Sequence, residues 1–260
     1  MINEFIKYSV EGSVAKITLN RAEKYNSFVR EMAVQMHDAL NKASTDKLVR
    51  AVYITGEGKA FCAGQDLAEA VDGSGPGIKK IVEEHYNPII RKIRTIEKPV
   101  VCAVNGAAAG AGANIALACD IVIAGSSAFF SQAFSKIGLI PDSGGTFFLP
   151  RLIGLSRSSA LMMLGDKVSA NDALQMGMIY KVSEDAKLQE EAFAIAKTLS
   201  EMPTKAIGLT KRLLNKSMFN TLEQQLTEEG IEQVNAASSY DFKEGVKSFL
   251  EKRKPVFRGD

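Results

Sequence analysis

Apolar and polar positions change period several times along the chain. Residues 5–19 alternate as Phe5-Ile-Lys-Tyr-Ser-Val10 and Val14-Ala-Lys-Ile-Thr-Leu19, predicting a hairpin that turns at Gly12. Over 27–43 the apolar residues Met32, Met36, Ala39, Leu40 and Ala43 fall at helical spacing, with Ser27 in place for an N-cap. Residues 49–55 form an apolar run closed by Gly56-Glu-Gly58, the pattern of a buried strand. A polar, glycine-bearing stretch at 71–77 predicts a loop and is the best candidate for a mobile segment. Residues 78–96 predict a helix bent at Pro88.

The same alternation of strands and helices then recurs. Strands are predicted at 100–104, 121–124 and near 128–130, a helix at 111–119, and turns through 138–146. Helices follow near 156–165 and 169–176, then a strand at 179–182. From residue 187 strand signals vanish and helical patterns run to about residue 252. Repeating strand–strand–helix units make this an α/β chain. Composition alone divides it into residues 1–195 and an all-helical segment, 196–260.

Charge and composition remove several partner classes. The 32 basic and 30 acidic residues leave a formal charge of +2, with no basic stripe interleaved with aromatics, so nucleic acid is excluded as a partner. Cys62, Cys102 and Cys119 are odd in number and lack Cys-x-x-Cys spacing. They read as buried thiols of a reducing compartment rather than a disulfide pair or a zinc site. No metal is expected. The start lacks a basic region followed by an apolar run, so no secretory signal is read, and a cytoplasmic location is expected. Residues 99–119 carry no charge over about the length of a bilayer helix. They include Pro99, Asn105, Gly106, Gly110, Gly112 and Asn114, however, and predict a soluble strand–turn–helix instead of a membrane span.

The candidate chemistry sits in three glycine-bearing segments. Asp142 is the only carboxylate between Asp120 and Asp166, within Lys136-Ile-Gly-Leu-Ile-Pro-Asp-Ser-Gly-Gly-Thr146. It is either an N-cap for the next segment or a base in an apolar pocket. Two further turns, Lys59-Ala-Phe-Cys-Ala-Gly-Gln-Asp-Leu67 and Asn105-Gly-Ala-Ala-Ala-Gly-Ala-Gly-Ala-Asn114, each follow a strand and feed a helix. Unpaired N–H groups at such helix starts favour developing negative charge. A dinucleotide fingerprint at Gly110-Ala-Gly112 fails because its third glycine position is Ile115. His37 and His85 have no Ser or Cys partner and read as surface or core histidines.

Taken in order, Asn20-Arg-Ala-Glu-Lys-Tyr-Asn-Ser27, Phe61-Cys-Ala-Gly-Gln-Asp-Leu67, Ala103-Val-Asn-Gly106 with Gly110-Ala-Gly112, and Ile137-Gly-Leu-Ile-Pro with Gly144-Gly-Thr146 resemble the enoyl-CoA hydratase/isomerase (crotonase) superfamily. The likeness runs from residue 5 to about 258. It implies a spiral of ββα repeats with a helical C-terminal segment that makes trimers or dimers of trimers. The implied substrate is an acyl-CoA, and no cofactor is implied beyond the CoA that the substrate carries. By position, the backbone N–H groups of Gln65 and Ala111 would hold the thioester oxygen, leaving their side chains free to vary. Ala63, Asp66, Leu67 and Phe134 complete the implied substrate site, with Asp66 capping or orienting the turn. Arg21 and Lys24 would meet CoA phosphates, and Phe249 and Lys252 match tail positions that reach a neighbouring subunit's CoA.

Hydratases of this family add water with two glutamates. Alignment on the glycine turns puts those positions at Asn114 and Phe134, neither of which moves a proton near neutral pH. Hydration by that mechanism is therefore disfavoured, and Asp142 remains, where isomerase branches also carry a catalytic aspartate. Tyr86-Asn-Pro-Ile-Ile-Arg91, Ala133-Phe-Ser-Lys-Ile-Gly-Leu-Ile-Pro-Asp142 and Leu149-Pro-Arg151 are similar to a branch that isomerises the ring epoxide of a dearomatised phenylacetyl-CoA to an oxepin. Two other readings stay open: a Δ3,Δ2-enoyl-CoA isomerase of fatty acids, and a non-catalytic acyl-CoA-binding protein on the same fold.

Overall fold

A computed structural model describes residues 4–260. The hairpin β1 (Ile6–Glu11) and β2 (Val14–Leu19) leads into α1 (Arg30–Thr45), and three ββα units follow. The first is β3 (Ala51–Gly56) and β4 (Ala60–Cys62), then α2 (Leu67–Val71), α3 (Gly77–Lys80), a π-helical turn (Ile81–Tyr86) and α4 (Asn87–Thr95). The second is β5 (Val100–Val104), β6 (Ala107–Ala109) and α5 (Ala111–Leu117). The third is β7 (Ile121–Gly125), β8 (Phe129–Ser131), a 3-10 turn (Ala133–Ile137), α6 (Gly145–Ile153) and α7 (Leu155–Leu164). After β9 (Lys167–Ser169), α8 (Ala170–Met176) and β10 (Lys181–Ser183) come α9 (Leu188–Ser200), α10 (Thr204–Ser217), α11 (Leu222–Ala237) and α12 (Tyr240–Leu250).

Each unit gives its first strand to a six-stranded sheet, β1-β2-β3-β5-β7-β10, and its second to a four-stranded one, β4-β6-β8-β9. The large sheet is parallel apart from the β1–β2 hairpin, and in the small one β9 runs antiparallel to β8. This is the expected spiral of ββα turns.

Buried parallel strands need apolar residues on both faces, and the alternation sorts them. Val52, Ile54, Cys102, Val104 and Ala124 face the main core with Met36 and Leu40 of α1 and Ile89 and Ile93 of α4. Tyr53, Val101, Ala103 and Ile123 face the other way, onto Leu188, Ala192 and Ala196 of α9. The composition boundary at 195 thus falls inside α9, a helix that packs on the sheet. Ala192 is fully buried there, so a bulkier side chain would overpack that interface at about 1–3 kcal/mol. Lys211 ties α10 to the same body, its ammonium 2.6 Å from Asp120 Oδ2.

The structure corrects several expectations. Ser27 is not the cap of α1: Val29 precedes the helix with extended backbone and no side-chain cap, and Ser27 Oγ instead accepts from Arg21 Nη1 at 2.9 Å. The bend near Pro88 is the π-helical turn just before it, which accommodates a residue that has no N–H to give. The second glycine segment contains β6, three alanines that carry no β-branched signal, and β9 is equally short. Part of the stretch read as turns is α6, a helix whose Gly145 start and internal Pro150 hide its period. In the 71–77 loop Asp72 Oδ1 accepts from both the N–H and the Oγ of Ser74, so the loop closes on itself. The three cysteines are buried free thiols. No helix among the described residues is long and apolar enough to cross a membrane.

Candidate active site

One cavity of about 210 Å³ collects the ends of these elements. Ala63, Gly64, Gln65 and Leu67 come from the turn after β4, and Gly110 and Ala111 from the start of α5. Phe134 and Leu139 come from the third unit, Ile81 and Val82 from the π-helical turn. Among the described residues, Asp142 is the only carboxylate on its wall.

Glycine is required where the two turns meet. Gly64 has φ +90°, and a Cβ there would lie 3.0 Å from the carbonyl oxygen of Ala109 and 3.4 Å from the nitrogen of Ala111. A Cβ on Gly112 would collide with the carbonyl oxygen of Cys62. The turns therefore lie backbone against backbone. Phe28 N–H donates to Gly64 O at 2.7 Å and Asp66 N–H to Phe28 O at 2.9 Å, which fixes the peptide that carries the Gln65 N–H. Gly110 N–H donates to Ser131 O at 2.9 Å and so aligns the start of α5. Among the described residues neither Gln65 N–H nor Ala111 N–H has an acceptor. Two free N–H groups on one apolar cavity are what a developing oxyanion requires.

Asp142 stands in the same space. Its side chain caps no helix: Gly144 is the N-cap residue of α6, which has no side-chain cap, and Gly145 N–H reaches the Asp142 main-chain oxygen instead. Of the two readings open from sequence, the pocket carboxylate is the one observed. Burial raises its pKa, opposed by the hydrogen bond that Ser143 Oγ donates to Oδ1 at 2.8 Å. Ser143 is buried and holds a left-handed backbone, φ 52°, rare for a residue with a side chain. Asn114 Nδ2 donates to the Asp142 main-chain oxygen at 2.9 Å, and Asn114 Oδ1 accepts from Gln132 Nε2 at 2.8 Å. Asn114 thus holds the Asp142 backbone in place.

The remaining residues sort cleanly. Asp66 accepts from Ala68 N–H as the cap of α2 and pairs with Arg21 Nη1 at 2.8 Å. Arg21 Nη1 also donates to Ser27 O, so it serves the turn. Lys24 is exposed on the neighbouring loop, where Tyr25 O accepts from Ala63 N–H at 3.0 Å. Phe249 and Lys252 do not line the cavity: both are exposed at the end of α12. The Cys62 thiol, pushed up to about 12 by burial, is no nucleophile. Sequence reasoning missed Asn114, Ser143 and the side chain of Gln65. A polar Asn inside a helix of small apolar residues was the one available signal.

A family model described as enoyl-CoA hydratase/isomerase matches residues 9–260, and the chain belongs to that family. It is similar to 1,2-epoxyphenylacetyl-CoA isomerase of Escherichia coli (strain K12), 47% identical over 98% of this chain and 99% of the relative. It is also similar to trans-2-decenoyl-[acyl-carrier-protein] isomerase of Streptococcus mutans, 37% identical over 98% of each chain. A crystal structure from Mycobacterium abscessus, provisionally assigned as an enoyl-CoA hydratase/isomerase, superposes with a TM-score of 0.94 at 40% identity, covering 98% of this chain and 100% of that one. A short-chain-enoyl-CoA hydratase is among the relatives too.

Proposed function

We propose that this protein is an acyl-CoA isomerase that moves one proton with one carboxylate, and that its substrate is the ring 1,2-epoxide of phenylacetyl-CoA, converted to an oxepin. The observation that carries the reading is a lone, half-buried aspartate, Asp142, sharing an apolar cavity with two free backbone N–H groups. The likeness to the E. coli epoxide isomerase favours the ring substrate.

In this mechanism the thioester oxygen accepts from Gln65 N–H and Ala111 N–H. Asp142 takes the proton from the carbon next to the thioester, and the C–H electron pair enters the enolate. In the ring epoxide the C–C bond between the two epoxide carbons opens electrocyclically, its pair joining the ring π system to give the seven-membered oxepin. The conjugated system carries the enolate pair to a distal ring carbon, where protonated Asp142 returns the proton. Nothing is oxidised or reduced, and no water is added. A raised pKa suits a group that must be base first and acid second. Asn114 and Phe134 supply no second acid–base group, which argues against hydration. The likeness to a decenoyl isomerase favours a second reading, Δ3 to Δ2 isomerisation of a linear chain with the same residues.

Assembly belongs to the same proposal. Leu214, Phe219, Leu222, Leu226 and Phe249 are exposed on the helical tail, more apolar surface than a solvated segment carries. We place them against partner subunits in a trimer or a dimer of trimers, with Lys24, and Phe249 and Lys252 of a neighbour, on CoA. A monomer by light scattering at micromolar concentration would refute this. A cytoplasmic location accompanies the reading, supported by three free buried thiols. The substrate test is competition between the ring epoxide and 3-hexenoyl-CoA for one enzyme. Preference for the epoxide in kcat/KM supports the first reading, and preference for the linear chain replaces it with the second.

A further inference from the structure

The side chain of Gln65 is not free. Its Nε2 donates to Glu69 Oε2 at 2.7 Å, and Tyr86 OH lies 3.0 Å from its Oε1. The carboxylate of Glu69 only accepts, so the amide must turn its nitrogen toward Glu69 and its oxygen toward Tyr86, which then donates. Glu69 Oε1 accepts in turn from Arg30 N–H, the first residue of α1, at 2.9 Å. Tyr86 is fully buried, its ring 5.8 Å from that of Phe28, and it ends the π-helical turn whose Ile81 and Val82 line the cavity. Burial, with the charges of Asp142 and Glu69 nearby, raises the phenol well above its ordinary pKa and keeps it a neutral donor. None of these contacts is needed to cap α2, which Asp66 already does.

We infer that the Gln65 side chain is a positioning residue for its own backbone N–H, clamped between Tyr86 and Glu69 so that the cavity wall and the oxyanion donor move as one body. Phe28 holds the main chain on both sides of Gln65, through Gly64 O and Asp66 N–H, while Gly64 at φ +90° is the most permissive residue in the turn. The clamp adds a hold on the Gln65 side chain that the main-chain bonds do not give, and ties it to the cavity wall. Phe28 serves both anchors: it bonds Gly64 and Asp66 and packs on Tyr86. An acyl group seated against Ile81 and Val82 therefore bears on the same element that aims the donor.

The inference rests on reading Gln65 N–H and Ala111 N–H as the thioester-oxygen site, and one experiment separates the two. [1-13C]Hexanoyl-CoA is bound to saturation and its carbonyl 13C resonance compared with that of the free thioester. The wild type, Tyr86→Phe and Gln65→Met are measured side by side, with circular dichroism to confirm folding. Tyr86→Phe keeps the ring packing and removes only the hydroxyl. Polarisation by two donors moves the wild-type resonance downfield, and both variants should lose about half of that displacement or more while Kd stays within about threefold. Folded variants with the full wild-type displacement would overturn the clamp and leave the oxyanion site standing. No displacement in the wild type would remove the oxyanion site, and the clamp with it.

Discussion

The two sides of the cavity are built from different material. On the proposed oxyanion side the groups are main-chain N–H groups, aimed by Gly64, Gly110 and the close approach at Gly112. On the opposite side the working group is one side chain, Asp142, held by Ser143 on its carboxylate and by Asn114 on its backbone. The first kind of site tolerates most side-chain changes but not a Cβ where glycine stands. The second loses its chemistry with a single atom and keeps its shape. The same function is thus fragile in two ways, one through folding and one through turnover.

The contrast is sharpest in Asp142→Asn. We expect kcat to fall by about 10²–10⁴ with acyl-CoA affinity retained, since general acid–base transfer is worth that much. The variant should also be more stable than the wild type near neutral pH. A carboxyl whose folded pKa is raised loses stability as pH rises from its unfolded value through its folded one, and the penalty is complete above. Melting curves of the two proteins should coincide below the ordinary aspartate range and separate, with Asn higher, above it. Coincident melts at neutral pH would contradict the burial of charge.

On the other side, Gly112→Ala should act through folding. The added Cβ meets the Cys62 carbonyl and its sulfur, so we expect a loss of about 2–3 kcal/mol in denaturant unfolding. Retained stability would mean that the turns can move apart. Asn114→Ala lies between the two classes. It removes one of the two donors to the Asp142 carbonyl and leaves the buried Gln132 amide without its acceptor, and should lower kcat about tenfold and stability by about 1–2 kcal/mol. An unchanged kcat would show that the base needs no backbone anchor. The smallest effect is expected from Ser143→Ala, which removes a bond to the charged carboxylate. The Asp142 pKa should rise further, moving the acid limb of kcat/KM to higher pH with the plateau little changed. A limb that stays in place would show that Ser143 does not act on the carboxylate.

What was legible follows the same division. Strands β3, β5 and β7 announced themselves because both their faces are buried and nearly every position is apolar. The glycine turns and Asp142 were legible because their residue types are unusual where they stand. Strand β6 was not, since three alanines carry no strand preference and owe their state to neighbours in the small sheet. Ser27 satisfied a capping pattern, yet Arg21 claims its hydroxyl, a contact fixed only when the first motif folds onto Asp66. Asn114 reads in sequence as a missing glutamate, and its bonds to Asp142 and Gln132 exist only once the second and third ββα units are stacked. Gln65 was legible as a backbone position and silent as a side chain, because Tyr86 and Glu69 reach it from other elements.

The most direct test of the single-carboxylate shuttle is turnover in deuterated water, read by mass spectrometry, for wild type and Asp142→Asn with 3-hexenoyl-CoA, crotonyl-CoA and the ring epoxide. The account predicts isomerisation of the epoxide or the 3-enoyl thioester by the wild type, no water added to crotonyl-CoA, and neither isomerisation nor exchange in the variant. Hydration of crotonyl-CoA, or undiminished isomerisation by Asp142→Asn, would contradict it.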